Sequence, residues 1–139
     1  MVYQAISQTL GLDSPIIDSF DLVVLTRKGI PRSALDALAK TLHLSIFKLT
    51  KYLHVSERTL QRYSPDKSLS PELSDHVLQI AKVYARSLDV FEDPETASNW
   101  LKQPIVALGN IAPIEYLDTS SGIEIVLDEL NRIEYGVFS

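Results

Sequence analysis

At 139 residues, with 45% hydrophobic and 22% charged side chains, the chain is long enough to bury a core and too apolar to be disordered throughout. The absence of cysteine excludes disulfides, thiolate metal sites and thiol nucleophiles. The net charge of −5 is unevenly spread: residues 40–67 carry Lys40, Lys48, Lys51, Arg58, Arg62 and Lys67 against Glu57 and Asp66, a net +4, whereas residues 87–139 carry a net −8. A basic segment beside an acidic one points to two surfaces with different partners. With neither a signal-peptide pattern nor an apolar run long enough for a bilayer, the chain reads as cytoplasmic, without membrane association.

Residues 1–13 lack strong caps and sustained periodicity, so a loosely held end is expected. Ser14-Pro15 then reads as a helix start, and Ile16, Ile17, Phe20, Val23 and Val24 follow at helical spacing until the basic stop Arg27-Lys28-Gly29. The apolar face of this N-terminal helix either covers the chain's own core or meets a second copy. Ile30-Pro31 breaks the pattern. Ser33, with Asp36 close to a capping-box position, opens the next helix, whose buried stripe is Leu35, Leu38, Ala39 and Leu42.

The segment Ser45–Tyr63, SIFKLTKYLHVSERTLQRY, fits two short helices joined at Leu53-His54-Val55-Ser56. Ile46, Leu49 and Leu53 share one face of the first, and Ser56 caps a second anchored by Leu60. His54 occupies the turn position where many such motifs carry glycine; histidine tolerates a left-handed conformation better than most residues. Outside remain Arg58, Thr59, Gln61, Arg62 and Tyr63, side chains suited to phosphates and base edges in a major groove. Arg58 and Arg62 share a helix face and suit guanine edges, whereas Lys48, Lys51 and Lys67 suit phosphates. This is a helix-turn-helix pattern, and one small chain needs a second copy to read a symmetric operator.

Turn-rich residues 64–70 lead to Ser70-Pro71-Glu72, the start of a long helix expected to run to about Val90 on the stripe Leu73, Val77, Ile80, Ala81, Tyr84 and Leu88. Asp93-Pro94-Glu95 repeats the start signal for a short helix with Ala97, Trp100 and Leu101 inside, ended by Gln103-Pro104. Gly109 and Pro113 break the next apolar stretch into loops around a short helix at 113–117. Thr119 or Ser120 caps a last helix that carries Ile123, Val126, Leu127, Leu130 and Ile133 inward and stops at Gly136. The fold class is all-α: an N-terminal segment over 1–30, a helix-turn-helix region over 31–69, and a linking helix with a small C-terminal domain over 70–139.

Chemistry is harder to find. His43, His54 and His76 show no metal-ligand spacing, with His54 explained by the turn and His76 by a helix surface. The chain has no G-x-S-x-G elbow, no phosphate loop and no dinucleotide fingerprint. No catalytic residue, metal or cofactor is expected, and the chain does not read as an enzyme.

Taken together, Gly29-Ile30-Pro31, SALDALAKTL, SERTLQRY followed by LSPELSD, Ala97-x-x-Trp100-Leu101 and the tail ALGNIAPIEYLDTSSGIEIVLDELNRIEYGVFS resemble the Xre-type antitoxins of RES–Xre toxin–antitoxin operons over roughly Phe20–Ser139. One departure is Asn110-Ile111 after Gly109, where the family pattern often has a second glycine. The resemblance implies a helix-turn-helix domain that binds the operon's own operator. It also implies a C-terminal domain that blocks the active site of a co-encoded RES-domain toxin, an NAD consumer. Toxin-contact candidates are then Leu108, Gly109 and Asn110 in the loop, and Tyr135, Gly136, Val137 and Phe138 at the end of the last helix, where aromatic and aliphatic anchors suit a hot spot. Ser56, with the basic and polar residues of the second short helix, completes the DNA-contact set. Two further readings fit the residues: a dimeric regulator without a toxin, and an adaptor whose helix pair binds protein.

Overall fold

One long helix organises the molecule, because its buried stripe is the surface on which the other apolar faces close. The computed structural model describes residues 2–136, and in it the helices are α1 (Val2–Thr9), α2 (Ser19–Lys28), α3 (Arg32–Thr41), α4 (Ile46–Leu53), α5 (Glu57–Gln61), α6 (Pro71–Phe91), α7 (Pro94–Lys102) and α8 (Ser120–Tyr135). Two 3-10 turns, Val106–Leu108 and Pro113–Tyr116, lie between α7 and α8. No strand occurs among the described residues, only the isolated bridges Pro31–Ser68 and Ile105–Ile111. No helix among them is long and apolar enough to cross a membrane.

α6 buries Val77, Leu78, Ile80, Ala81, Val83, Tyr84 and Ala85 and packs against α1, α2, α3, α4, α7 and α8. Most helix starts follow from local chemistry. Ser45, Ser56, Ser70, Asp93 and Thr119 each accept a backbone N–H three residues on, from Lys48, Thr59, Leu73, Thr96 and Gly122. Each cap satisfies an amide that the helix leaves without a partner.

Three expectations for the N-terminal third need correction. The end is not loose: α1 packs on α6 and buries Ile6 completely, with Leu10 just after it almost fully buried, a long-range gain invisible in its uncapped sequence. α2 begins later than Ser14-Pro15. Asp18 is its cap, accepting from Asp21 N–H at 3.1 Å, while the Asp21 carboxylate accepts from Ile17 N–H at 2.8 Å. α3, by contrast, has no side-chain cap. Its first amides, Arg32 N–H and Ser33 N–H, donate to Lys67 and Pro65 carbonyls at 2.9 and 2.8 Å. The loop after α5 thus takes the part expected of Ser33.

The same strap requires Gly29. Its φ is +89°, and a Cβ there would stand 2.4 Å from the Leu69 carbonyl oxygen. Next to it, Ile30 N–H donates to the wholly buried Ser74 hydroxyl at 3.0 Å and Leu69 N–H donates to Ile30 O at 2.8 Å. α2, the loop after α5 and the start of α6 are therefore tied at one point.

Candidate functional site

The helix pair forms as its pattern requires. Leu49, Leu53 and Leu60 are buried, and His54 closes α4 in the left-handed conformation at φ 56° and ψ 36°. α5 is shorter than a groove-spanning helix, only five residues. Arg62 continues it as a helical C-cap, so Arg58 and Arg62 still share a face, and both are exposed with Gln61. Ser56 and Thr59 are engaged with each other at the helix start, where Ser56 Oγ accepts Thr59 N–H at 3.0 Å and lies 2.7 Å from Thr59 Oγ1. Tyr63 is half-buried, with Lys67 Nζ 5.1 Å above its ring.

Lys48 and Lys51 sit in different surroundings. They line a cleft with Ser45, Phe47, Tyr52, Glu115 and Asp118, two of them acids of the C-terminal half, and Lys51 Nζ stands 5.1 Å from the centre of the Phe47 ring. Lys48 is also near Lys102, whose ammonium is pushed below its ordinary value by burial and then by that like charge.

The seam between the halves is built from polar groups. The Tyr52 hydroxyl donates to the Glu115 carboxylate, and burial followed by that acid holds the phenol well above its ordinary value. His54 Nε2 lies 2.8 Å from Asp118 O and His76 Nε2 lies 2.7 Å from Leu117 O. A carbonyl only accepts, so both rings carry hydrogen on Nε2. The two rings stand 6.2 Å apart. His76, expected merely on a helix surface, is half-buried by this bond. Lys102 Nζ adds a bond to His43 O at 3.2 Å.

Beyond the seam, Ile105–Ile111 forms a tight projection. Ile105 N–H donates to Ile111 O at 3.3 Å and Asn110 N–H to Ile105 O at 3.0 Å. Gly109 and Asn110 both take positive φ, 75° and 60°. Asparagine tolerates that region, so it adopts a backbone that glycine would also allow. Leu108, expected at the contact surface, is buried at 4% exposure, and its carbonyl accepts the Tyr116 hydroxyl at 2.8 Å. The residue that projects is Val106, 82% exposed and flanked by the exposed Ile111. Reasoning from sequence missed it, although a turn of three apolar residues cannot bury all of them.

At the end of α8, Tyr135 is 69% exposed and Gly136 closes the helix at φ 60°. Ile133, expected inward, is exposed as well, at 39%. Arg86 holds that end with a two-pronged pair to Glu134, at 2.8 and 2.9 Å, and a bond to Asn131. Val137 and Phe138 lie outside the described residues.

Comparison with known proteins finds two family domains along the chain, which meet within α6. Residues 21–82 fit the model of the antitoxin Xre-like helix-turn-helix domain, and residues 87–136 fit that of the antitoxin Xre/MbcA/ParS C-terminal toxin-binding domain. The chain is 31% identical over 129 residues to a Prs ADP-ribosylating antitoxin of Sphingobium sp., covering 86% of this chain and 81% of the relative. It is 28% identical to proteins named Antitoxin Xre in Photorhabdus laumondii, over 123 residues, and Yersinia enterocolitica, over 120 residues, each time covering 85% of this chain and 81% of the relative. With a basic helix pair on one side of the seam and the toxin-binding domain on the other, the chain belongs to the Xre family of antitoxins.

Proposed function

We propose that this antitoxin neutralises a co-encoded RES-domain toxin that consumes NAD, and that as a homodimer it binds the operator of its own operon and represses it. The observation that carries the reading is the pairing, in one chain, of an exposed Arg58–Gln61–Arg62 face with an acidic domain that projects Val106, Gly109, Asn110 and Tyr135. The first is suited to phosphates and base edges. The second offers apolar anchors for a protein cleft, with the −8 charge of residues 87–139 to speed encounter with a basic partner. The name of the Sphingobium relative joins an antitoxin to ADP-ribosylation, a reaction that takes ADP-ribose from NAD. That supports an NAD-consuming partner here. The chain itself supplies binding, orientation and occlusion, and the reaction on NAD belongs to the toxin.

The test is a time course of NAD with the adjacent gene product, with and without this chain. NAD loss that stops at a stoichiometric ratio supports the reading; continued loss, or a neighbour that consumes none, removes the toxin half of it. A gel shift with the upstream region of the operon tests the other half independently. Should only the second succeed, the chain is a regulator without this toxin.

A further inference from the structure

α2 buries none of its ten residues. Leu22 and Leu25 rest against the core, half-buried. The opposite side leaves Phe20 80% exposed, Val24 62% and Val23 45%, and Ile17, just before the cap, 75%. Single exposed apolar residues are ordinary, but four together on one face form a patch of the kind that marks an interface.

The charges along the helix identify the occupant. Asp21 lies in the first turn and Arg27 and Lys28 in the last. Arg27 and Lys28 are exposed, and neither enters an ion pair among the described residues. A rim of one sign would call for a partner of the opposite sign. A rim acidic at one end and basic at the other complements its own reversed copy. At 3.6 residues per turn Phe20, Val24 and Arg27 fall on one line, with Val23 beside it, and Asp21 and Lys28 share a flank about 10 Å apart.

A two-fold axis perpendicular to α2 sets that flank against the same flank of a second molecule. Asp21 of each copy then stands beside Lys28 of the other, and Arg27 of each reaches the Phe20 ring of the other, a cation over an aromatic face. We infer that the exposed face of α2 is a self-docking surface on which a second copy of this chain packs antiparallel. The inference rests on the dimeric operator binding proposed above, and gives that dimer its interface. Through Gly29 and the bonds from Arg32 and Ser33 to Lys67 and Pro65, α2 is fastened to the loop that follows α5. A dimer made at α2 therefore fixes the spacing of the two recognition helices.

The experiment is sedimentation of the full chain, compared with Phe20→Asp and Lys28→Asp. Phe20 is exposed, so Phe20→Asp is expected to be a monomer with an unchanged helical spectrum, and its melting temperature should lose the concentration dependence that a dimer shows. Lys28→Asp places two acids against each other across the axis. It is expected to weaken the wild-type dimer about tenfold at low salt. Added salt should then strengthen the variant dimer and weaken the wild-type one. A dimer that persists in Phe20→Asp overturns the inference and leaves the dimeric reading intact, with its interface elsewhere. A wild-type chain that is monomeric, alone and on operator DNA, overturns both. A Phe20→Asp chain that still dimerises but no longer binds the toxin assigns the face to the toxin instead.

Discussion

His54 donates from Nε2 to the carbonyl oxygen of Asp118 at 2.8 Å, so the turn of the helix-turn-helix is fastened to the residue just before the cap of α8. This explains a left-handed turn made by histidine. Glycine would adopt φ 56° without steric cost, but only a side chain can cross to the other domain.

The comparison of His54→Ala with His54→Gly separates the two effects. Alanine keeps the strained backbone and loses the bond, and should cost about 1–3 kcal/mol in urea unfolding. Glycine loses the bond but relieves the strain, and should cost less. Equal losses would refute the division into strain and bond. Because the same bond couples the domains, both variants should also reduce any change in operator affinity on toxin addition.

Gly122 is a second place where the fold admits one residue type. A Cβ there would lie 1.9 Å from the Tyr116 carbonyl oxygen and 2.8 Å from its carbonyl carbon, backbone atoms that cannot swing aside. Gly122 N–H also supplies the cap bond to Thr119 Oγ1 at 3.0 Å. Gly122→Ala should therefore push α8 off the Pro113–Tyr116 turn and lower stability by at least ~1–3 kcal/mol, the usual range for overpacking. A wild-type urea midpoint would show that the turn yields more easily than its packing implies.

Much of this was legible because it is local. Ser70, Asp93 and Thr119 announce their helices, and Leu49, Leu53 and Leu60 announce theirs by spacing. The failures are long-range. α1 becomes ordered because Ile6 and Leu10 find α6, some seventy residues away in sequence, and nothing within residues 2–9 says so. Ser14-Pro15 carries a valid start signal, yet Asp18 with Asp21 makes a better cap four residues later. Leu108 and Val106 were indistinguishable as apolar neighbours in one stretch. Only the bridge between Ile105 and Ile111 decides that the first turns inward and the second outward.

On the DNA side, the charged candidates should separate by effect. Arg58→Ala is expected to reduce discrimination between operator and scrambled DNA by about 1–3 kcal/mol, the worth of one two-pronged base contact. Lys67→Ala should weaken both DNAs alike and lower the salt slope by about one. Lys48→Ala and Lys51→Ala should do less, since those residues share a cleft with Glu115 and Asp118. Titrations at several salt concentrations distinguish these outcomes, and an unchanged specificity ratio for Arg58→Ala would remove it from the base-reading set.

Val106 tests the toxin side. At 82% exposure it contributes little to the fold, so Val106→Asp should leave the melting curve unchanged. If it seats in a desolvated pocket of the partner, the buried charge should weaken binding by about 2 kcal/mol or more. Calorimetry with the purified toxin measures this directly. Tyr135→Ala provides the comparison at the end of α8, and an unchanged affinity in both would place the contact elsewhere on the domain.

The pair of Arg86 and Glu134 makes the docking of α8 depend on pH with a definite sign. Hydrogen bonding to Arg86 is the main cause that holds the Glu134 carboxyl below its ordinary value, and the guanidinium charge acts in the same direction. Asp93 is lowered too, by Thr96 N–H and then its hydroxyl. A carboxylate with a lowered value in the folded state contributes stability that is fully present above its unfolded value. That contribution is lost as pH falls through the folded one. Stability should therefore decline below the ordinary carboxylate range, with α8 loosening from α6 at its C-terminal end. Arg86 keeps its charge throughout, its own value being raised, mainly by the hydrogen bond to Glu134. Glu134→Gln removes the titrating group, so the gap between wild type and variant in urea midpoint should be widest near neutral pH and close as the solution is acidified. A gap that stays constant with pH would mean that Glu134 holds α8 by shape alone. A gap that closes would also bear on partner binding, because the turn that Arg86 anchors is the one that presents Tyr135.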